Sequence, residues 1–342
     1  MSRMNPSPVP ASPEFLGFSV VTLTLVISLL SFVIAMVALV WQIIKHFLDG
    51  GRVKVSLNAA IWEPDFMLAT NRSGRLLMKN GDAATAVVRG RALEVAQLVV
   101  ENPGRIPVTV YSPGLSFNGH RQKQYSVVPR MFETDGAYGP DDALTDNIVR
   151  IEPYGRVTFL LDLWSIMPGI LKDAPKGEVT VRGQVDVAGK KHPRKSAWRK
   201  RWNVRRGMYT AIEGEPDFTP YAVIWGVMFR QLPRHEDAKS NRNPNAGVAV
   251  SRGMVGYLLD EVMSSFDERP DEKRFEDAMN KAAENHGEKF PSFALATYQA
   301  YQELDRMHDH LTGWHEGLFR ASHQNRNEQA GSAADVGAQD PT

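Results

Sequence analysis

Residues 15–44 form thirty consecutive positions without a charged side chain, closed by Glu14 on one side and Lys45 on the other. A helix needs about 20 apolar residues to cross a hydrocarbon core roughly 30 Å thick, so this run predicts a membrane-spanning helix with length to spare. A cleaved signal peptide would carry an apolar stretch of about 7–15 residues and then a small-residue cleavage site. This run is longer. It closes on Trp41 and Lys45, with Arg52 just beyond, an aromatic and cationic pattern that anchors a helix at the membrane interface. Residues 1–14 read as a short polar tail. Arg3 lies on their side of the helix, against Lys45, Arg52 and Lys54 on the other, so the positive-inside rule predicts an outside N-terminus and cytoplasmic soluble domains in the cell membrane.

Beyond Gly50 and Gly51 the period changes to two. Val53, Val55 and Leu57 alternate with Lys54 and Ser56, the pattern of a half-buried strand. Similar runs cover 91–100, 106–111, 147–151, 156–163, 178–187 and 197–204. Turn residues separate them, as in Asn102-Pro103-Gly104, Ser112-Pro113-Gly114 and Pro153-Tyr154-Gly155. Short strands at this spacing predict an antiparallel sandwich over 51–209. No strand–helix alternation and no G-x-G-x-x-G accompany them, which argues against a dinucleotide fold.

From 213 to 324 the period becomes helical. Thr219 and Pro220 read as a cap and first-turn proline opening a helix over 221–232. A polar loop is expected over 233–247. A second helix over 248–266 carries Met254, Leu258, Val262 and Phe266, and a third opens at Pro270 with Phe275, Met279 and Ala282, ending at Gly287. Pro291 starts the longest predicted helix. Phe293, Ala296, Ala300, Leu304, Met307, Leu311, Trp314 and Leu318 step by three or four, close to the 3.6 repeat. That stripe suits packing inside a small bundle or against a protein partner. Residues 325–342 read as a disordered tail.

The stretch LVVENPGRIPVTVYSPGLSF, followed by IEPYGRVTFLLDL, resembles immunoglobulin-like sandwich modules. Joined to the apolar helix through GGRVKVSL, the chain is similar to uncharacterised single-pass bacterial membrane proteins with such a domain. The resemblance covers about 51–204. It implies an architecture and no activity, cofactor or catalytic residue, and the paired cysteines of antibody domains are absent. The expected fold class is therefore a membrane-anchored α+β protein: one N-terminal transmembrane helix, an antiparallel immunoglobulin-like β-sandwich and a C-terminal α-helical domain.

Composition then narrows the chemistry. The chain has no cysteine, which excludes disulfides, thiolate zinc sites, iron–sulfur clusters and a cysteine nucleophile. The net charge of +1 hides a split. Residues 45–209 hold 26 Lys/Arg against 16 Asp/Glu, a balance of +10, and residues 210–342 hold 13 against 22, a balance of −9. The basic excess peaks in KKHPRKSAWRKRWNVRR, residues 190–206, with Lys190, Lys191, Arg194, Lys195, Arg199, Lys200, Arg201, Arg205 and Arg206 and no acid. Read as a hairpin, 197–204 returns along 179–187 and places Trp198, Trp202 and Val204 on the core face, with Lys200 snorkelling between the tryptophans. Three roles fit the outward cations: protection of a sheet edge, contact with anionic lipid head groups, or contact with nucleic acid or an acidic protein surface.

Other candidates are weaker. His308 and His315 are two helical turns apart, and His310 points roughly 200° away from His308, so the three do not converge on one metal ion. Glu133, Asp135, Asp141, Asp142 and Asp146 form an acidic loop without the D-x-D-x-D-G spacing of a calcium loop. No nucleophile elbow, P-loop, kinase or deaminase pattern occurs, and no metal or cofactor is expected. The sequence reading is a single-pass membrane-anchored binding or scaffolding protein. Its alternatives are an enzyme with a site between sandwich and helices, and a polyanion binder acting through the basic hairpin.

Overall fold

The computed structural model describes residues 14–15, 18–49, 52–64, 66–79, 81–134, 136–231, 252–286, 293–316 and 318. The polar tail up to residue 13, the loop expected over 233–247 and the C-terminal tail fall outside the described residues. A two-residue pairing, β1 (Glu14–Phe15) with β2 (Phe18–Ser19), precedes the first helix, α1 (Val20–Asp49). Over Val20–Lys45, α1 has a mean hydropathy of 2.8 and none of its most apolar window is buried, so it is long and apolar enough to cross a membrane.

Two antiparallel sheets follow. The first has the order β4-β3-β5-β10-β8, with β3 Lys54–Glu63, β4 Met67–Asn71, β5 Leu93–Glu101, β8 Met131–Phe132 and β10 Arg156–Leu161. The second has the order β12-β11-β6-β7, with β6 Val108–Asn118, β7 Tyr125–Val127, β11 Glu178–Val187 and β12 Arg194–Lys195. Here β13 (Trp202–Arg205) also pairs with β11, and β9 (Ile148–Ile151) with β6.

The strands predicted at 91–100, 147–151, 156–163 and 178–187 are all present within two residues of their expected limits. The run expected over 106–111 extends to Asn118, because the Ser112-Pro113-Gly114 punctuation is absorbed into β6. Ser112 takes φ +51, and a register shift opposite Gln184 and Asp186 accommodates the irregularity.

The first sheet is covered on both faces, which explains why β3 is buried from Leu57 to Trp62 rather than alternately. Successive strand residues point to opposite faces. Leu57 on β3 and Leu98 on β5 face the second sheet, where Gly183 lets the layers approach. Trp62 faces the other way, its ring centroid 5.6 Å from Phe229.

Phe229 belongs to α4 (Pro220–Gln231), the first of the C-terminal helices. α4 starts where Thr219 and Pro220 predict, with Thr219 Oγ1 accepting from the Ala222 amide at 3.2 Å. α5 (Arg252–Ser264) and α6 (Glu272–Asn285) follow, the latter capped by Asp271, whose carboxylate accepts from the Arg274 amide at 3.0 Å. One continuous buried cluster takes residues from both sheets and from these helices.

The longest predicted helix is cut short. α7 spans Ala294–Arg306, and a single 3-10 turn over His308–His310 replaces its continuation. Leu311 leaves the helix to form a parallel bridge with Phe218, whose amide donates to the His310 carbonyl at 2.8 Å. The apolar stripe to Leu318 still packs on the core, but through this tertiary pairing rather than along one helix. Two short helices have no counterpart in the sequence reading. α2 (Asp82–Arg89) buries Ala84, Val87 and Val88, and α3 (Met167–Lys172) buries Met167, Ile170 and Leu171.

Candidate anion-binding sites

The basic segment does not form one surface. β12 pairs with Gln184 and Val185 in mid-strand, while β13 pairs with the start of β11, Arg205 opposite Glu178. Lys190 and Lys191 sit in the turn that follows Val187, and the Lys190 amide donates to the Val187 carbonyl at 3.0 Å. β11 rises about 3.3 Å per residue, so this turn and Arg205–Arg206 lie about 30 Å apart along the strand.

The returning strand over 197–204 requires correction. Chain 198–200 is a 3-10 turn, and pairing resumes only at Trp202. Trp202 and Val204 are buried as predicted, the Trp202 indole donating to the Gly74 carbonyl at 3.1 Å. Trp198 is instead 51% exposed. Guanidinium groups on Arg182 and Arg201 flank its ring, at 5.5 and 4.6 Å from the centroid. Arg182 also donates through Nε to the Ser196 carbonyl at 2.8 Å. These contacts hold the indole at the surface between cations, an attractive arrangement that core burial would forfeit. Lys195 is spent on Ser116, donating to Oγ at 2.7 Å, and burial followed by the nearby Arg182 charge lowers its ammonium pKa. Lys200 does not lie between tryptophans. Its methylenes cover Gly74, which stands at φ +76 and leaves 2.7 Å between a would-be Cβ and Lys200 Cδ.

Arg199, Lys200, Arg201, Arg205 and Arg206 line a groove of about 890 Å³ together with Arg75, Glu213 and Glu215. Beyond Arg206 and Gly207 lies a cleft of about 540 Å³ between α3, the 206–209 segment and the end of α7. Trp164, Met167, Leu171 and Met307 give it an apolar wall; Lys172, Arg206, Arg306 and His310 supply cationic or titratable groups. An inner cavity of about 70 Å³ shares Trp164, Tyr209, Arg306 and Met307 with the cleft and reaches Glu94 and Arg230.

Glu94 is buried on β5 and organises this junction. Its carboxylate accepts from the Thr210 hydroxyl and from the Ala211 amide at 2.7 Å, and the Trp164 indole lies close by. Burial pushes the Glu94 pKa above its ordinary value, while those donors and the Arg230 charge oppose the rise. The Tyr209 hydroxyl donates to the Glu215 carbonyl at 2.8 Å, and its ring stacks on His310 at 4.1 Å. Burial, aided by Glu215, Asp217 and Glu94, pushes the Tyr209 phenol to about 12.

The remaining sequence candidates are dispersed. His308 pairs with Asp309 at 2.8 Å, His310 stacks on Tyr209, and His315 Nε2 lies 2.7 Å from the Asp267 carbonyl. Among the described residues no three His, Asp or Glu side chains are placed to hold a metal ion. In the acidic loop, Asp141 pairs with Arg72 and Arg156 at 3.0 and 3.1 Å, and Asp142 accepts from the Tyr138 amide at 2.8 Å. Trp41, Lys45 and Arg52 are exposed at and beyond the C-terminal part of α1.

The junction residues were not singled out in sequence. Glu94 had a local signal, a lone carboxylate inside the apolar run 92–100, which marks a buried charge needing partners. Trp164, Lys172 and Tyr209 had none, since chain-distant elements bring them together. The chain matches no known protein family and no curated protein.

Proposed function

We propose that the chain is a single-pass membrane-anchored binding protein, with α1 across the bilayer and an immunoglobulin-like sandwich standing on the cytoplasmic membrane surface. One juxtaposition carries this reading: the Lys190–Lys191 turn occupies the same end of the sheets as Lys54, where the chain arrives from α1. At that end Lys54 pairs in register with Glu101, Val108 with Ile151 and Val110 with Val187. Asn102 ties the two sheets together there, donating to the carbonyls of Ile106 at 2.8 Å and Ile151 at 3.2 Å. α1 ends at Asp49 and β3 begins at Lys54, a span of at most about 18 Å even when extended.

The same end exposes Ile106 and Tyr154, at 51% and 71%, beside Arg105, whose Nε donates to the Tyr154 hydroxyl at 3.3 Å. Apolar and aromatic tips among cations suit a headgroup layer. Each well-placed Lys or Arg contributes on the order of 1 kcal/mol near an anionic surface, weakened by salt. The wider polyanion reading over 190–206 has less support, because its cations are spread along β11 and Lys195 is engaged by Ser116.

The test uses the chain from Arg52 onward, which keeps both sheets and the helices, with vesicles of phosphatidylcholine alone or with phosphatidylglycerol. Co-sedimentation is expected only with the anionic vesicles at low salt. Replacing Arg105, Lys190 and Lys191 by Gln is expected to abolish it, and replacing Arg199, Arg201, Arg205 and Arg206 is not. The reverse dependence would sink this orientation on the membrane. A reporter that matures only in the cytoplasm, fused after Thr342 in the full chain, is expected to be active; a silent one would overturn the topology.

A further inference from the structure

We infer that the cleft between α3, the 206–209 segment and the end of α7 binds a small soluble organic anion with an apolar body. The volume of about 540 Å³ is that of a small-molecule site, and its wall is apolar where its mouth is cationic.

The charge argument rests on which cations are already satisfied. Arg306 is engaged by Glu303, with Nε donating to Oε2 at 2.8 Å. The His310 ring stacks on Tyr209 and is a neutral or titratable group rather than a fixed cation. Lys172 and Arg206 differ: among the described residues neither has a carboxylate within ion-pair distance, although Asp173 follows Lys172 and Glu178 pairs in register with Arg205, next to Arg206. Asp173 instead approaches His120, and Glu178 approaches Arg205, both at 3.9 Å. Two exposed cations without an acidic partner, beside an apolar wall, favour an anion there.

The apolar body follows from the wall. Met167, Leu171 and Met307 line it together with the half-buried Trp164. Glu94 accepts from the Thr210 hydroxyl and the Ala211 amide, so one buried carboxylate positions the chain that follows Tyr209. Tyr209, with its pKa near 12, is neutral at physiological pH and does not repel that charge.

The source of the anion is solution rather than the bilayer. The cleft lies beside Gly177 and Arg206, at the end of β11 about 30 Å from the Lys190 turn. The inference therefore stands on residues that the vesicle experiment does not read, apart from Arg206.

The experiment uses the full chain in phosphatidylcholine nanodiscs and saturation-transfer NMR with three water-soluble probes: phenyl phosphate, inorganic phosphate and benzyltrimethylammonium. Phenyl phosphate is expected to bind, and each of the others to bind about tenfold more weakly or not at all. Lys172→Gln with Arg206→Gln is expected to weaken phenyl phosphate binding by about tenfold. Arg199→Gln with Arg201→Gln, which changes the adjoining groove at residues that do not line the cleft, is expected to leave it unchanged. Met208→Trp, placed at a half-buried lining position, is expected to block the cleft while near-ultraviolet circular dichroism reports an intact fold. Equal binding of all three probes, or binding indifferent to both Lys172/Arg206 and Met208 variants, would overturn the assignment. Loss of phenyl phosphate binding in nanodiscs containing phosphatidylglycerol would overturn the solution source.

Discussion

Arg230 Nε lies 3.0 Å from Asp162 Oδ2, joining α4 to the chain just beyond β10. The contact is an ion pair without an aligned N–H, and Asp162 Oδ1 makes no hydrogen bond of its own. Asp162 is almost fully buried, so the guanidinium is what compensates its charge.

Replacing Arg230 by Met is expected to destabilise the chain by about 3–5 kcal/mol, because it strands a buried carboxylate. Adding Asp162→Leu should recover part of that loss, since a buried pair is often replaceable by apolar groups. Denaturant unfolding of the two variants measures both effects. A single variant as stable as the parent would mean that water already solvates Asp162.

Glu94 predicts a pH dependence of definite sign. Its folded pKa is raised above the ordinary 4.5, chiefly by burial, so the folded state holds the proton more tightly than the unfolded chain. That contribution is fully present below the unfolded value and is lost as pH rises through the folded one. The stability of the parent relative to Glu94→Gln is therefore expected to fall as pH rises from about 4.5. Urea midpoints of the two chains across pH 4–8 check the slope. The opposite slope would mean that the hydrogen bonds from Thr210 and Ala211 outweigh desolvation.

Gly183 sets the separation of the two sheets. A Cβ there collides with Leu98 Cδ1 and presses Leu57 Cβ at 3.4 Å, both in the buried core. Gly183→Val is expected to cost about 1–3 kcal/mol through overpacking, and Leu98→Ala in the same chain to relieve part of it. Denaturation midpoints of the single and double variants test the coupling. Strict additivity would show that the collision is absorbed elsewhere.

Truncation after Tyr209 bears on whether the two differently charged regions fold separately. The charge and period changes near 210 suggest a separable sandwich, whereas the packing favours interdependence. Without the helices, Trp62 loses Phe229, and Glu94 loses the Thr210 and Ala211 donors. The 52–209 fragment is expected to bind a hydrophobic dye and to unfold without a sharp transition. A cooperative, dye-silent fragment would establish the sandwich as an independent unit.

Local pattern was enough for much of this molecule. The uncharged run 15–44 marks a helix long enough for a bilayer, because a helix satisfies its own backbone groups. The helix starts at Val20 rather than Phe15, with Phe15 and Phe18 in a short strand pairing, and runs on to Asp49. Alternation marked most of the long strands, and the Thr219-Pro220 start is a contact within one turn of chain. The missed helix α2 was legible too, since Ala84, Val87 and Val88 recur at three and four. Tertiary structure decided the rest. Trp198 and Trp202 share a period-two face on paper, yet two arginines hold Trp198 at the surface while Gly74 receives Trp202. The helix predicted through Leu318 stops at Arg306, where Leu311 pairs with a residue more than ninety positions earlier. The cleft takes Trp164, Lys172, Arg206 and Met307 from separate elements, with Glu94 behind them. Short-range periodicity reports which side of an element faces the core; it carries no information on which distant side chain that face meets, and the candidate sites consist of those meetings.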